Sequence, residues 1–273
     1  MKVVAVGECT VDRHLDRGVE TVGGISLNFA INCRRIGASE VALVSSVGLD
    51  DGAERVRAKL ALDAVDTSRL REAPGVTATQ EIRLGPGGER IFPPGGYHPG
   101  VLADLHLSAA DREFIGGFDL VAVPYFRQLE HLFWPAMTAA RPGAKRVVDL
   151  LDGADLGADF AGIAPIVATA DLVFLSAVPE VVESLLHWAR GAQAVIVVTH
   201  GAAGSTGLVA GQRVAVPAVP VPAAEVVDTT GCGDAFQAAF AIEYFQSGEL
   251  ARALRAGATR AASVIGHVGA TGG

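Results

Sequence analysis

An α/β fold built on a mostly parallel sheet is what this sequence predicts, and three observations carry the prediction. From Asp119 onward, short apolar runs (120–123, 146–150, 172–175, 194–199) alternate with amphipathic stretches (129–140, 181–190), the pattern of successive βαβ units. Residues 3–9 and 41–47 are nearly unbroken apolar runs, as expected of strands covered on both faces. The chain has 273 residues, 50% of them hydrophobic and only 6% aromatic, enough to bury a sizeable core in one large domain spanning 1–273.

The elements follow in order. Residues 3–9 form a buried strand ending at Gly7-Glu8, with Asp12 in the turn after it. Residues 16–21 are polar and slightly β-branched, a strand outside the main sheet. Gly23-Gly24 lets backbone approach a ligand closely before Leu27, Ala30 and Ile31 open a helical face that stops at Gly37. After the strand at 41–47, the turn Gly48-Leu-Asp-Asp-Gly52 leads into an amphipathic helix over 53–62. Residues 76–84 alternate as a half-polar strand, Pro86-Gly87-Gly88 turns the chain, and Glu89-Arg90-Ile91-Phe92 returns. The run from Pro93 to Gly100 is a loop, with Tyr97 and His98 as candidates to line a site. Residues 217–222 are a proline-spaced connector, 250–268 a helix, and 269–273 a frayed glycine-rich tail.

Charge and cysteine usage narrow the function. The formal net charge is −8, which gives a nucleic-acid partner no electrostatic support. Cys9, Cys33 and Cys232 are scattered without a CxxC pair, and the chain opens directly into a strand-like run rather than a signal peptide, so a reduced cytoplasmic protein is expected. The apolar runs are too short and too often broken to span a membrane.

Residues 226–245 concentrate the chemistry. Asp228-Thr229-Thr230-Gly231-Cys232-Gly233 turns into a run with Phe236, Phe240 and Tyr244 four apart, one face of a helix. The first N–H groups of a helix lack internal partners and carry the positive end of its dipole, so an anion fits there. Gly231 and Gly233 let backbone come close to a phosphate. Asp234 would repel that anion, and makes chemical sense as a base taking a proton from an attacking hydroxyl. Asp228, Thr229 and Asp234 also read simply as helix caps. Asp149 and Asp152 sit at a strand end, as candidates for a metal and phosphate side or as caps.

The run Asp228-Thr-Thr-Gly-Cys-Gly-Asp234 resembles the DTxGAGD signature of the PfkB (ribokinase-like) carbohydrate kinases, with Cys232 where alanine is usual. Gly23-Gly24 with Asn28 resembles the family's glycine-pair signature, with Ile25 where several relatives are polar. Thr199-His-Gly201-Ala-Ala-Gly204-Ser205 resembles its nucleotide-side segment, and 47–52 its VGxDxxG segment. The resemblance covers nearly the whole chain and implies a ribokinase-like three-layer α/β/α fold with a small β-lid, here over about 13–22 and 76–98. It implies ATP and Mg²⁺, and raises the prospect of a monovalent cation such as K⁺ near Asp228. Asp234 is then the base, with Gly231, Cys232 and Gly233 forming the anion hole. Asp12, Gly23, Gly24, Asn28 and Arg90 face the sugar, although Arg90 also reads as a solvated cation. Thr199, Gly201, Gly204, Asp228, Thr229 and Gly257 lie on the nucleotide side. Glu180 stands near where the family's NxxE motif organises magnesium, with Ser176 replacing the asparagine and the acid one residue late, and Asp149 joins it as a metal candidate. Within the family the layout is most similar to fructoselysine or fructosamine 6-kinases, with ribose, 2-keto-3-deoxygluconate, fructose and nucleosides open. The lid edge suits pairing with a second copy in a homodimer. Two rivals from other classes are a non-catalytic sugar- or nucleotide-binding regulator and an enzyme using Cys232 as nucleophile.

Overall fold

A computed structural model of the chain describes residues 1–153 and 160–272. The apolar run at the start becomes β1 (Lys2–Val6), paired in parallel with β4 (Glu40–Val47) on one side and β9 (Leu120–Pro124) on the other. Outward from β9 lie β10 (Lys145–Asp152), β11 (Leu172–Ser176) and β12 (Val195–Thr199), and outward from β4 lies β5 (Leu70–Glu72), all parallel. Successive side chains of a strand point to opposite faces. Val4 and Val6 accordingly join one core, under α3 (Ala109–Ile115), α4 (Glu130–Ala139), α5 (Ala164–Thr169) and α6 (Val181–Gly191). Val3 and Ala5 join the other, under α1 (Ile25–Arg35), α2 (Asp51–Leu62), α7 (Cys232–Ser247) and α8 (Leu250–Ala262). The three layers explain why the central strands carry apolar residues on both faces instead of alternating.

Two strands escape the sequence reading. β13 (Ser205–Val209) and β14 (Gln212–Val216) extend the sheet antiparallel beyond β12, completing the order β14-β13-β12-β11-β10-β9-β1-β4-β5. Their two-residue connection, Ala210-Gly211, holds φ of 49° and 77°, the conformation of a tight hairpin turn. An alanine in that conformation is a weak signal where Asn-Gly would have been a strong one.

A second sheet runs β3 (Val19–Gly23), β2 (Thr10–His14), β6 (Thr79–Leu84), β7 (Arg90–Ile91), with β8 (Tyr97–His98) also on β6. The first lid strand therefore starts earlier than the sequence suggests. Asp12 lies inside β2, opposite Thr21, rather than in a turn, and residues 16–18, expected as strand, belong to the turn at 15–18. Gly18, at φ 63°, supplies the reversal.

The end of the chain also departs from expectation. α8 stops at Ala262, and the segment after it is packed rather than frayed: Ala270 is fully buried and Thr271 is 3% exposed. Arg35 Nη1 donates to the Thr271 carbonyl at 2.6 Å and Lys59 Nζ to that of Gly272 at 2.7 Å. Gly273 lies outside the described residues. Among the described residues no helix is long and apolar enough to cross a membrane.

Candidate active site

The carboxyl ends of parallel strands collect on one edge of the sheet, where α/β proteins bind ligands. Here that edge receives Glu8 after β1 and Asp149 from β10. Facing them is the start of α7. Its N-cap, Gly231, has φ 78° and ψ 0°, and a Cβ there would lie 2.6 Å from the Cα of Ala270, so only glycine fits the turn. The Cys232 N–H returns to the Thr229 carbonyl at 3.2 Å, while Gly233 has nothing within 4 Å of its Cβ position. The first-turn N–H groups of Gly233 and Asp234 have no acceptor inside the helix. The buried Thr230 hydroxyl beside them is also without a hydrogen-bond partner. A cradle of unpaired donors at the positive end of a helix is what a phosphate requires.

Asp234, in the same first turn, accepts a 2.8 Å hydrogen bond from Asn28 Nδ2. Asn28 is 3% exposed and its Oδ1 is buried without a partner. It reaches this position because Gly24, the N-cap of α1 at φ 102°, packs its backbone onto the segment between β1 and β2: a Cβ would stand 2.7 Å from the Cα of Cys9. The neighbouring Gly23 lies against the Asp12 carboxylate, which Thr10 Oγ1 holds at 2.6 Å. The glycine pair and Asn28 thus meet Asp12 and Asp234 at one place, from segments more than 200 residues apart in sequence.

The electrostatics are those of crowded carboxylates. Burial, then the nearby Asp149, pushes Asp234 up to about 8, against the opposing pull of Asn28 and Arg90. Burial raises Asp12 to about 7, with Glu8 and Asp228 adding to it. Asp149 is likewise raised by burial, although Gln237 and the Leu151 N–H bond it and Arg90 lies near. Cys232 is pushed up to about 12, chiefly by burial, so its thiol is protonated at neutral pH. That removes the support the helix N-terminus gave to Cys232 as a nucleophile.

The second sheet closes over the α7 turn. The Gly88 carbonyl accepts from Thr229 N–H at 3.0 Å, Arg90 N–H donates to Thr229 Oγ1 at 3.2 Å, and Arg17 Nη2 donates to the Val227 carbonyl at 3.1 Å. Arg90, half-buried, lies 5.5 Å over the Phe92 ring and within electrostatic reach of Asp234 and Asp149. Asp228, fully buried, is spent internally: its oxygens accept from Thr230 N–H at 2.8 Å and from Gly269 N–H at 2.9 Å.

Further along the same edge, Thr199 ends β12 and its hydroxyl meets that of Ser176 at 2.9 Å. Gly201 and Gly204 follow with φ of 57° and 105°. Gly257 lies on α8 against Phe236, whose ring would meet a Cβ there at 2.8 Å, so helix packing by itself requires glycine. Glu180 is exposed at the N-cap of α6. His98 is exposed, whereas Tyr97 turns its hydroxyl toward Glu8. Three features escape the sequence reading: Glu8, Gln237 on α7, and the buried segment 269–271. Glu8 carried a usable signal, an acid directly after a glycine at the carboxyl end of a buried strand.

Among the described residues no group of three or more His, Cys, Asp or Glu side chains is arranged to hold a metal ion. That fits Mg²⁺, which keeps several waters and takes one or two carboxylates plus phosphate oxygens. Of the two metal candidates, Asp149 is buried on this edge near Asp234, whereas Glu180 is exposed at the N-cap of α6.

Comparison with known proteins agrees with this geometry. Residues 2–273 match the family model described as pfkB family carbohydrate kinase. The chain is 32% identical over 280 residues to fructoselysine 6-kinase of Escherichia coli strain K12, covering 99% of this chain and 100% of that one. It is 29% identical over 280 residues to fructosamine kinase FrlD of Bacillus subtilis strain 168, covering 100% and 93%. Among solved structures, an adenosine kinase from Sinorhizobium meliloti superposes with a TM-score of 0.84 at 20% identity, over 98% of this chain and 95% of that one. A protein described as a ribokinase II from E. coli, in complex with ATP and Mg²⁺, superposes at 0.78 with 19% identity over 99% and 94%.

Proposed function

Since the chain belongs to the pfkB family of carbohydrate kinases and is thereby an ATP-dependent sugar phosphotransferase, we propose that Asp234 is its general base and that its acceptor is an amine-substituted ketose of the fructosamine class. The observation that carries the first part is the position of Asp234 in the first turn of α7, beside unpaired backbone donors and bonded to Asn28. A sugar hydroxyl held against Asp234 gives up its proton there as it attacks. The N–H groups of Gly231 and Gly233 stabilise the charge on the transferred phosphoryl oxygens, and that of Cys232 joins them only by giving up its bond to the Thr229 carbonyl. Mg²⁺, when bound, offsets charge on the ATP phosphates, and Asp149 is its carboxylate ligand in this reading. Most of the rate then comes from positioning and charge stabilisation. Asp12, Asn28 and the Gly23-Gly24 backbone hold the sugar. Arg90 stands between the acceptor and the phosphates. Thr199, Gly201, Gly204, Thr229 and Gly257 border the nucleotide.

The substrate class rests on the full-length relatives named fructoselysine 6-kinase and fructosamine kinase. Ribose, 2-keto-3-deoxygluconate, fructose and nucleosides are the competing acceptors. A non-catalytic regulator is disfavoured by the retention of Asp234 in a poised geometry. K⁺ near Asp228 is a finer proposal, tested by comparing turnover in KCl and NaCl. So are a homodimer through the second sheet, where Val19, Ile91 and Phe92 are exposed, and a cytoplasmic location, to which three unpaired cysteines are suited. Replacing Asp234 with Asn should leave ATP and sugar binding in place, read by calorimetry, and abolish ADP formation. Normal turnover by that variant would show that the base is another group.

A further inference from the structure

Glu8 is a buried carboxylate to which the phosphoryl-transfer chemistry assigns no task. It is 8% exposed, directly after β1, and fastened to the first turn of α1. Its Oε2 accepts the Ile25 N–H at 2.9 Å, its own N–H donates to Ser26 Oγ at 3.1 Å, and its carbonyl accepts the Leu27 N–H at 3.1 Å. The Tyr97 hydroxyl faces the carboxylate from β8 without forming a well-aligned hydrogen bond. Both groups therefore keep bonding capacity next to the sugar-binding glycine pair.

The charges around Glu8 are unequally matched. Arg90 lies within electrostatic reach of Asp234 and Asp149, on the side assigned to the phosphates, where Mg²⁺ would also bring positive charge. Glu8 and Asp12 receive no such contribution: burial raises both, Asp149 adds to Glu8, and Glu8 and Asp228 add to Asp12, opposed only by neutral donors, the Ile25 N–H and Tyr97 hydroxyl at Glu8 and the Thr10 hydroxyl at Asp12. Two carboxylates buried together on the acceptor side are costly unless something pairs with them. Asp12 suits sugar hydroxyls, which donate to a carboxylate without bringing charge. The second carboxylate is matched by an acceptor that carries its own cation. Asn28 adds an independent pointer to a ligand, since it is 3% exposed and its buried Oδ1 lacks a partner while its Nδ2 is committed to Asp234.

We propose that Glu8 is a specificity determinant that reads a protonated amine on the acceptor: the ammonium of an amine-substituted ketose donates to the Glu8 carboxylate, and the Tyr97 oxygen accepts a second N–H. This rests on the fructosamine-class reading above and goes beyond it by naming the residues that distinguish such a sugar from its neutral counterpart.

Glu8→Gln tests the assignment, because glutamine keeps an acceptor for the Ile25 N–H and removes only the charge. The readout is the ratio of kcat/KM for 1-butylamino-1-deoxyfructose to that for fructose, with ATP and Mg²⁺, in wild type and variant. A charge-assisted hydrogen bond is worth tenfold or more in discrimination, so the wild-type ratio should exceed 10 and fall by roughly tenfold or more in the variant. Tyr97→Phe should lower the same ratio by a few-fold. An unchanged ratio in Glu8→Gln, or a wild type that prefers fructose, overturns the proposal. If neither sugar is phosphorylated, the fructosamine-class kinase reading fails, and calorimetric affinities of the two sugars judge Glu8 separately. Tighter binding of the aminoketose that Glu8→Gln erases supports the assignment, and equal wild-type affinities overturn it.

Discussion

Asp234 carries two demands that oppose one another. A base must be ionised, yet burial and Asp149 raise this carboxyl to about 8. In the free enzyme kcat/KM should therefore rise with pH toward a plateau above about 8, and because Asp149 is coupled to Asp234 the midpoint belongs to the pair. A flat profile from pH 6 to 9 would contradict the assignment. The same shift acts on stability. The folded state holds a proton on Asp234 that the unfolded chain releases near pH 4, so the group costs stability progressively as pH rises from about 4 to about 8. Asp234→Asn should raise Tm by several degrees at pH 9 and by much less at pH 5, read by calorimetry. Cys232 makes the complementary prediction. With its thiol pushed up to about 12, it should react with a maleimide at pH 7.5 far more slowly in the native than in the unfolded protein, read by mass spectrometry. Rapid native labelling would restore a reactive-thiol role.

The anion cradle depends on a segment distant from it in sequence. Arg35 is fixed by a two-pronged pair with Asp63, at 2.6 and 3.1 Å, and with Lys59 it grips the carbonyls of Thr271 and Gly272. That grip seats Ala270 under Gly231 and the Gly269 N–H on Asp228. Lys59→Met should therefore lower kcat several-fold while the KM for sugar changes little, because the sugar side is built from β1, β2 and α1. Equal effects on both parameters would mean that the grip serves folding only. Gly231→Ala, forced to hold φ 78° with its Cβ against Ala270, should lose activity by tenfold or more while keeping native circular dichroism. This element also marks what sequence can disclose. The buried strands were legible because both faces are covered and their runs are nearly all apolar. The Asp228 to Asp234 turn was legible because its glycines and carboxylate are local. Residues 269–272 read as a loose tail because nothing within them is apolar enough to order them. Their order comes from Arg35, 236 residues before Thr271, and no local pattern encodes a contact of that range. Glu8 was passed over for a related reason: its role depends on Tyr97, Ile25 and Asp149, which only the fold brings together.

At the scale of the whole molecule, a rigid nine-stranded sheet presents the carboxylates and the second sheet covers them, with contacts from Gly88, Arg90 and Arg17 to the α7 turn. A cover of that kind serves a site where free water would compete with the sugar hydroxyl for the phosphoryl group. The exposed Val19 and Ile91 lie on strands of the second sheet and the exposed Phe92 directly follows β7, so light scattering should report a dimer, and Ile91→Lys should shift it toward monomer. The most direct test of the central claim is ADP formation with ATP and Mg²⁺ across a panel of an aminoketose, fructose, ribose, 2-keto-3-deoxygluconate and adenosine, run for wild type and Asp234→Asn. The account predicts sugar-dependent ADP formation by the wild type, highest with the aminoketose and absent from the variant. Wild-type turnover by Asp234→Asn, or no ADP above the sugar-free rate with any acceptor, would contradict it.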